Sequence, residues 1–172
     1  MDNYSEQLVP RVSTGADKAK KIGISVAAIL LASVLMWLAI VFSFFSLILL
    51  VFVVLGGSVW IISNMDIEYE YIVTNDELDI DKIIGRRKRK RMITLDLRSA
   101  EDFGTYPAEN TPSVDATVHA TTGYEKDAHY MLFQHGSYGK VMLIFNPNEK
   151  TREAIMQEIP NQLRIKLTHN AK

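Results

Sequence analysis

The chain has 172 residues, and its 19 Lys and Arg residues are balanced by 20 Asp and Glu residues, giving a formal net charge of −1 at pH 7. This length allows one modest domain plus an additional segment, and the charge balance argues against a broadly basic nucleic-acid-binding protein. The chain contains no cysteine, which excludes disulfides, thiolate catalysis and cysteine-ligated metal sites.

An apolar segment without any charged side chain covers residues 22–63. As one helix it would extend about 63 Å, whereas a hydrocarbon core is about 30 Å thick and takes about 20 residues. It is also far too long for the apolar core of a cleaved signal peptide. We therefore predict two transmembrane helices, near Ile22–Val41 and Phe44–Ile62, with a short turn at Phe42 and Ser43. A single, strongly tilted helix is the alternative.

Two adjacent glycines, Gly56 and Gly57, lie within the second predicted span. Small residues let helices approach closely in lipid, so we predict that this pair belongs to a helix-packing surface. The alternative is that the two glycines are merely tolerated at these positions.

Cationic residues flank the apolar segment on both sides, whereas the predicted turn between the spans has no charge. Those before it are Arg11, Lys18, Lys20 and Lys21, and a run from Arg86 to Arg91 follows it. Because cationic flanks are retained on the cytoplasmic side during insertion, we expect a multi-pass protein of the cell membrane with both termini in the cytoplasm. Residues 1–21 are then a cytoplasmic N-terminal segment.

From residue 64 onward, short alternating patterns replace the long apolar run. In "DIEYEYIVT", aromatic and β-branched residues alternate with acids, which is typical of a strand. A turn at "TNDE" follows, because Asn and Asp tolerate turn geometry. Further strands are predicted at "LDIDKII", "MITLDL", around Phe103, "ATVHATT", "AHYMLFQH" and "KVMLIF", and a loop at "GTYPAENTPSVD" follows Phe103. The glycines of "GSYG" suit a hairpin between the last two strands.

A helix-start signal follows the last predicted strand. Asn146 is placed as the cap, Pro147 in the first helical position and Glu149 in the capping-box position, and Pro160 is expected to end the helix. Residues 64–172 thus predict an α+β domain, in which six or seven antiparallel strands form a small barrel or sandwich closed by one C-terminal helix.

Two spans followed by "YEYIVTNDELDIDKIIGRRKRKRMITLDL" resemble bacterial membrane proteins that carry a pleckstrin-homology-like (PH-like) domain. Such proteins have a strand of the form Tyr-x-x-Thr-Asn, a hairpin and a third strand of alternating apolar residues. The matching residues are Tyr71, Thr74, Asn75, Ile93, Leu95 and Leu97. The layout is also similar to a family of two-span proteins of Gram-positive bacteria. The resemblance implies a PH-like fold for residues 64–172, and it implies no reaction, substrate or catalytic residue.

The most conspicuous polar feature is a run of six cations: Arg86, Arg87, Lys88, Arg89, Lys90 and Arg91. Both faces of an extended chain would be cationic here, which a buried strand does not accept because unpaired charges are costly to desolvate. We therefore expect an exposed hairpin tip or strand end, with Gly85 at a bend, that contacts anionic lipid headgroups. A pocket for one specific headgroup and a solvated charge cluster without a partner are the alternatives.

The other polar residues predict no reaction and no cofactor. The acids Asp76, Glu77, Asp79 and Asp81 do not fit a calcium-binding EF-hand loop, and we expect them on a solvated outer face that pairs with the basic run. The histidines, which are His119, His129, His135 and His169, lack metal-ligand spacing. His119 would meet one of the next two only if their strands were neighbours.

These features predict a non-catalytic interaction or scaffold module at the inner face of a bacterial membrane. Its expected partners are the membrane itself, anionic lipid headgroups, and a protein partner or second copy, but not nucleic acid: residues 64–172 carry 15 Lys and Arg against 17 Asp and Glu. One alternative is a small subunit of a larger membrane complex. Another is an enzyme that acts on lipid or peptide.

Overall fold

The structure, a computed structural model, describes residues 3–106, 113–123 and 127–170. It divides into two compact units. Ser13–Asp66 forms one, here called the helical unit, and the described residues before and after it form the other, here called the β-unit.

The helical unit contains two helices, α1 (Gly15–Val41) and α2 (Ser46–Ser63). Both are long and apolar enough to cross a membrane. The α1 helix begins before the apolar segment because Thr14 and Asp17 form a capping box. The Thr14 hydroxyl accepts from the Asp17 amide at 3.2 Å, and the Asp17 carboxylate accepts from the Thr14 amide at 3.1 Å. The chain reverses between the helices, where Ser43 has a φ of 53°, as the sequence predicts.

The helices pack through alanines rather than through the predicted glycine pair. The buried residues of this unit are Ala28, Ala32, Ala39 and Val51. A Cβ atom added at Gly56 or Gly57 would meet no other atom within 4 Å. These glycines follow Val51 by five and six residues, which places them about 120–140° around the helix from the buried side. Gly56 and Gly57 therefore do not lie at the contact between α1 and α2, and their packing against another helix stays a prediction.

Four antiparallel strands form the first sheet of the β-unit in the order β1-β2-β3-β4. The strands are β1 (Tyr4–Pro10), β2 (Ile67–Thr74), β3 (Glu77–Ile84) and β4 (Lys88–Asp96). The sequence predicts β2 and β3 closely, but β1 is an addition to the predicted domain 64–172. It joins the sheet because the segment before the helices pairs with the strand after them, with Tyr4 opposite Thr74 and Pro10 opposite Glu68.

A short 3-10 helix, Leu97–Ser99, leads into a second sheet with the order β5-β7-β8-β6. Its strands are β5 (Ala100–Thr105), β6 (Ala116–Ala120), β7 (His129–His135) and β8 (Gly139–Phe145). The expectation of purely antiparallel strands is wrong for β6, which pairs in parallel with β8. A strand's alternation of apolar and polar residues carries no information on direction, which explains the error. The predicted loop after Phe103 lies partly outside the described residues.

The chain ends in two helices, α3 (Glu149–Glu158) and α4 (Asn161–Asn170), where the sequence predicts one. Pro160 ends the first helix as expected, but a second begins directly after it. The predicted cap is also displaced by two residues. Asn148 accepts from the Thr151 amide at 2.8 Å, whereas the Asn146 side chain accepts from the Thr122 amide at 3.0 Å.

The two sheets and the C-terminal helices share one apolar core. Its largest fully buried residues include Tyr71, Leu78, Ile80, Leu95, Phe133, Leu143, Phe145 and Ile155. The Tyr71 and Phe145 rings meet edge to face at 5.6 Å, and the Tyr71 hydroxyl donates to the carbonyl of Ala120. The observed α+β architecture confirms the predicted PH-like sandwich with a C-terminal helix, but the sheets do not close into a barrel.

Candidate functional site

The basic run forms the turn between β3 and β4 and the first part of β4. Gly85 and Arg86 have φ angles of 60° and 56°, and β4 starts at Lys88. All six cations are exposed, and β4 is an edge strand of the first sheet. The run is thus an exposed hairpin tip, as expected, that continues into an edge strand.

A bulge divides the strand part of the run between the two faces of the sheet. Ile80 lies opposite Ile93, but the next residue of β3, Asp81, lies opposite Arg91, so Met92 is the extra residue. Partners in an antiparallel pair point to the same side of a sheet. Arg89 and Arg91 therefore lie on the outer face, away from the core, and Lys88 and Lys90 lie on the inner face, which also carries the core residues.

Three arginines of the run pair with carboxylates of the first sheet. Arg86 Nε lies 3.1 Å from Glu68 Oε1, and Arg89 Nη2 lies 2.7 Å from Glu70 Oε1. Arg91 contacts Asp79 at 2.6 Å and also pairs with Asp81. These contacts, here called the outer-face network, join β2, β3 and β4.

Two carboxylates of the outer-face network are buried although they lie on the face away from the core. Glu70 and Asp81 are 1% and 3% exposed, and Glu70 Oε2 has no hydrogen-bond partner among the described residues. Burial is the largest influence on Glu70 and raises the pKa of its carboxyl, although the charge of Arg89 lowers it.

The predicted acidic set divides in the structure. Asp79 and Asp81 pair with Arg91 as expected, but Asp81 is buried rather than solvated. Asp76 instead pairs with Arg98 at 2.9 Å, at the opposite end of the sheet. Glu77 is exposed and makes no ion pair within the described residues. The sequence thus predicts a charged outer face correctly, but not which of its carboxylates pair with the run.

The inner-face cations have a different environment. Lys88 and Lys90 make no ion pair within the described part of the chain, and the same holds for Arg87 in the turn and for Lys82 on β3. Lys82 lies directly opposite Lys90 across the β3–β4 pair. No local sequence pattern indicates that Lys82 belongs to this site, because only the pairing of β3 with β4 brings it there.

The chain leaves the first sheet for the helical unit from the end that carries the basic hairpin. Pro10, the last residue of β1, lies opposite Glu68, and Ile67, the first residue of β2, lies opposite Ile84. Ile84 in turn lies opposite Lys88. Residues 11–14 and 64–66 are the two short connections to the helices.

The three histidines whose side chains the structure describes, His119, His129 and His135, do not form a cluster. Strand β6 lies beside β8 and not beside β7, so the condition under which His119 would meet His129 or His135 is not fulfilled. Within the described ranges, no group of three or more His, Asp or Glu side chains is placed to hold a metal ion. His129 stacks on Phe103 at 5.4 Å, and burial lowers its pKa. The side chain of His169 lies outside the described residues.

One polar cleft, about 330 Å³ in volume, lies away from the basic hairpin. Its polar lining residues are Glu77, Thr94, Asp96, Ser99, Gln134 and His135. Two of these side chains form hydrogen bonds within local turns. The Ser99 hydroxyl donates to the Asp96 carbonyl at 2.7 Å, and His135 Nδ1 accepts from the Ser137 amide at 3.1 Å. Among the described residues of this cleft, no serine hydroxyl is hydrogen-bonded to a histidine.

Two helices able to cross a membrane, combined with two packed sheets and C-terminal helices, define a membrane-associated PH-like protein. The chain belongs to the bacterial PH-like domain family DUF6106, whose model matches residues 1–165. This confirms the resemblance to two-span proteins with a PH-like domain. The match spans β1 and the helical unit as well as the later strands. No curated protein and no solved structure matches the chain.

Proposed function

We propose that this protein is a non-catalytic interaction module at the inner face of a bacterial membrane, and that its basic hairpin contacts anionic lipid headgroups. The position of the hairpin is the observation that carries this proposal. The basic run lies at the end of the first sheet from which both connections run to the apolar helices. A domain tethered in this way presents its cationic end to the bilayer surface.

The pairing of β1 with β2 supports a membrane hairpin of two spans. These strands precede and follow the helices, and they pair residue by residue over the whole length of β1, so they occupy the same compartment. Lys21, near the start of α1, also lies 2.5 Å from Asp66, just after α2. The cations Lys18, Lys20 and Lys21 favour the cytoplasm for this compartment, with both termini there.

The size of the electrostatic effect indicates orientation rather than anchoring. A cation near an anionic leaflet contributes about 1 kcal/mol, whereas a transmembrane helix inserts essentially irreversibly. A total of about 3 kcal/mol from a few cations favours one orientation of the β-unit roughly a hundredfold over the others.

The test uses the full chain in lipid nanodiscs. Because the chain lacks cysteine, Met92→Cys provides a single labelling site next to the run. A lipid with a quencher on its headgroup is present at the same fraction in neutral and anionic discs. We expect stronger quenching of the dye in anionic discs and release by added salt, which screens such contacts. A label at Glu77→Cys, at the other end of the sheet, is the control. Equal quenching in both kinds of disc would reject the lipid contact.

A second function, assembly with another membrane-spanning chain, is favoured by a groove on the helical unit. The groove has a volume of about 560 Å³ and lies between α1 and α2, with Ala32, Trp37, Val51 and Leu55 in its lining. Gly56 and Gly57 have open space beside them and remain available to a partner helix. If the chain is such a subunit, Gly56→Leu/Gly57→Leu reduces the size of the complex extracted in mild detergent. An unchanged size argues against this function.

A further inference from the structure

We propose that phosphate groups of the anionic bilayer are bound by one part of the basic run together with a lysine outside it. This binding surface, here called the lysine face, consists of Lys82, Lys88 and Lys90 with Arg87 at the turn. The inference rests on the proposed function and assigns the lipid contact to particular residues. The remaining cations of the run have a structural role.

The arginines of the outer-face network are already neutralised. Arg86, Arg89 and Arg91 each lie within 3.1 Å of a carboxylate of the first sheet. Moving Arg89 to a lipid phosphate would leave the buried Glu70 carboxylate without its ion pair, and an isolated buried charge is strongly unfavourable. These arginines therefore hold the sheet together and do not bind lipid.

The cations of the lysine face, by contrast, form no ion pair with any carboxylate of the described residues. Lys82 and Lys90 lie directly opposite each other on the inner face. Like charges in this position repel each other, because opposing Cβ atoms are only about 4.5–5.5 Å apart. A phosphate group between the two ammonium groups would turn this repulsion into attraction. The pair thus favours an anionic ligand within a few ångströms of both side chains.

The residues beside the lysine face suit a bilayer surface rather than a free phosphate ion. Ile67, Ile84 and Lys88 lie side by side across three strands at the end of the sheet, and both isoleucines are partly exposed. Apolar residues next to lysines are typical of segments that rest at the boundary between headgroups and acyl chains. The connections to the helices leave from this same end of the sheet.

Two triple variants with equal changes in charge test the assignment in the labelled full chain. Arg87→Gln/Lys88→Gln/Lys90→Gln should remove more than half of the quenching that depends on anionic lipid. Arg86→Gln/Arg89→Gln/Arg91→Gln should retain most of it. Because the second variant weakens the sheet, Arg86→Lys/Arg89→Lys/Arg91→Lys serves as a further form that keeps the charge and should also retain the response.

Lys82→Gln gives the sharpest test, since Lys82 lies outside the run. It should weaken the response to anionic lipid, whereas Arg98→Gln, with the same charge change at the other end of the sheet, should not. An unchanged response in Lys82→Gln, or equal losses in the two triple Gln variants, would overturn the assignment while leaving lipid contact intact. A parent chain that responds equally to neutral and anionic discs would instead reject the proposed function itself.

Discussion

At the scale of single residues, Glu70 has a buried carboxylate that forms one ion pair, with Arg89, among the described residues. Glu6 on β1, Asp81 on β3 and Arg89 on β4 are the charged groups that influence it. Burial has the largest effect, and the two acids add to it, so the pKa is raised despite Arg89. A carboxyl group with a raised pKa in the folded state favours folding while it is protonated. That contribution is lost as the pH rises from the unfolded pKa through the folded pKa.

We expect Glu70→Gln to remove this pH-dependent penalty, because the amide carries no charge at any pH in this range. Relative to the parent, the variant should therefore gain stability as the pH is raised from about 4 to 7, across and above the usual Glu pKa of about 4.3. Thermal unfolding of the β-unit in the full chain, measured in detergent at both pH values, checks this. The exposed Glu77→Gln is the control. A difference between parent and Glu70→Gln that is the same at both pH values would contradict the expectation.

At the scale of helices and strands, the alternation of apolar and polar residues predicts most strand positions. It misses β1, where Val9 is the sole buried apolar residue and Ser5 is buried as well. It also misses the start of β4, because four successive cations show no alternation. A local pattern is informative only where one face of a strand is apolar and the other polar.

The basic site shows the same limit of local pattern. Its exposure follows from charge alone, but its division into two faces does not. Without the bulge at Met92, Arg91 would lie on the same side of β4 as the buried Ile93. The extra residue turns it to the carboxylates of the outer face. Strand pairing, and not the sequence of β4, therefore determines which cations are left for a ligand.

The start of α3 yields a prediction at this scale. Asn148→Ala should destabilise the helix by about 1 kcal/mol, because it removes the side chain that caps the Thr151 amide. Hydrogen exchange in the first turn of α3 should accelerate. Asn146→Ala is the matched control, since its side chain binds the Thr122 amide instead and the same exchange should stay unchanged. If only Asn146→Ala accelerates exchange in that turn, the cap is assigned to the wrong residue.

At the scale of the whole molecule, the β-unit is built from two chain segments, one before and one after the helical unit in the sequence. Besides pairing with β2, β1 bonds to α3 and the residues just before it. The Gln7 side-chain amide donates to the Asn146 carbonyl at 2.9 Å, and its oxygen accepts from the Asn148 backbone amide at 2.8 Å. The Ser5 and Thr151 hydroxyls, both buried, lie 3.2 Å apart. Residues 64–172 alone would lack these partners and leave the β2 edge open.

We therefore expect residues 64–172 to aggregate or remain unfolded when produced alone. A chain that joins residues 1–12 to residues 67–172 through a short Gly-Ser linker should fold and be soluble, because β1 and β2 are antiparallel neighbours and Arg11 already bonds to the Ile67 carbonyl at 3.0 Å. Size-exclusion chromatography and the dispersion of NMR amide signals distinguish the two chains. Equally well-dispersed spectra from both would show that β1 is dispensable.

The pairing of β1 with β2 also has a consequence for biogenesis. Paired residues such as Pro10 and Glu68 are separated by both apolar helices along the chain, so β1 leaves the ribosome long before its partner does. If only one helix crossed the bilayer, the two strands would be on opposite sides of the membrane. In the proposed two-span arrangement, the first sheet is therefore completed only when both helices have been inserted. A chain inserted incorrectly would keep an open strand edge and an incomplete core, which are the features that proteases recognise.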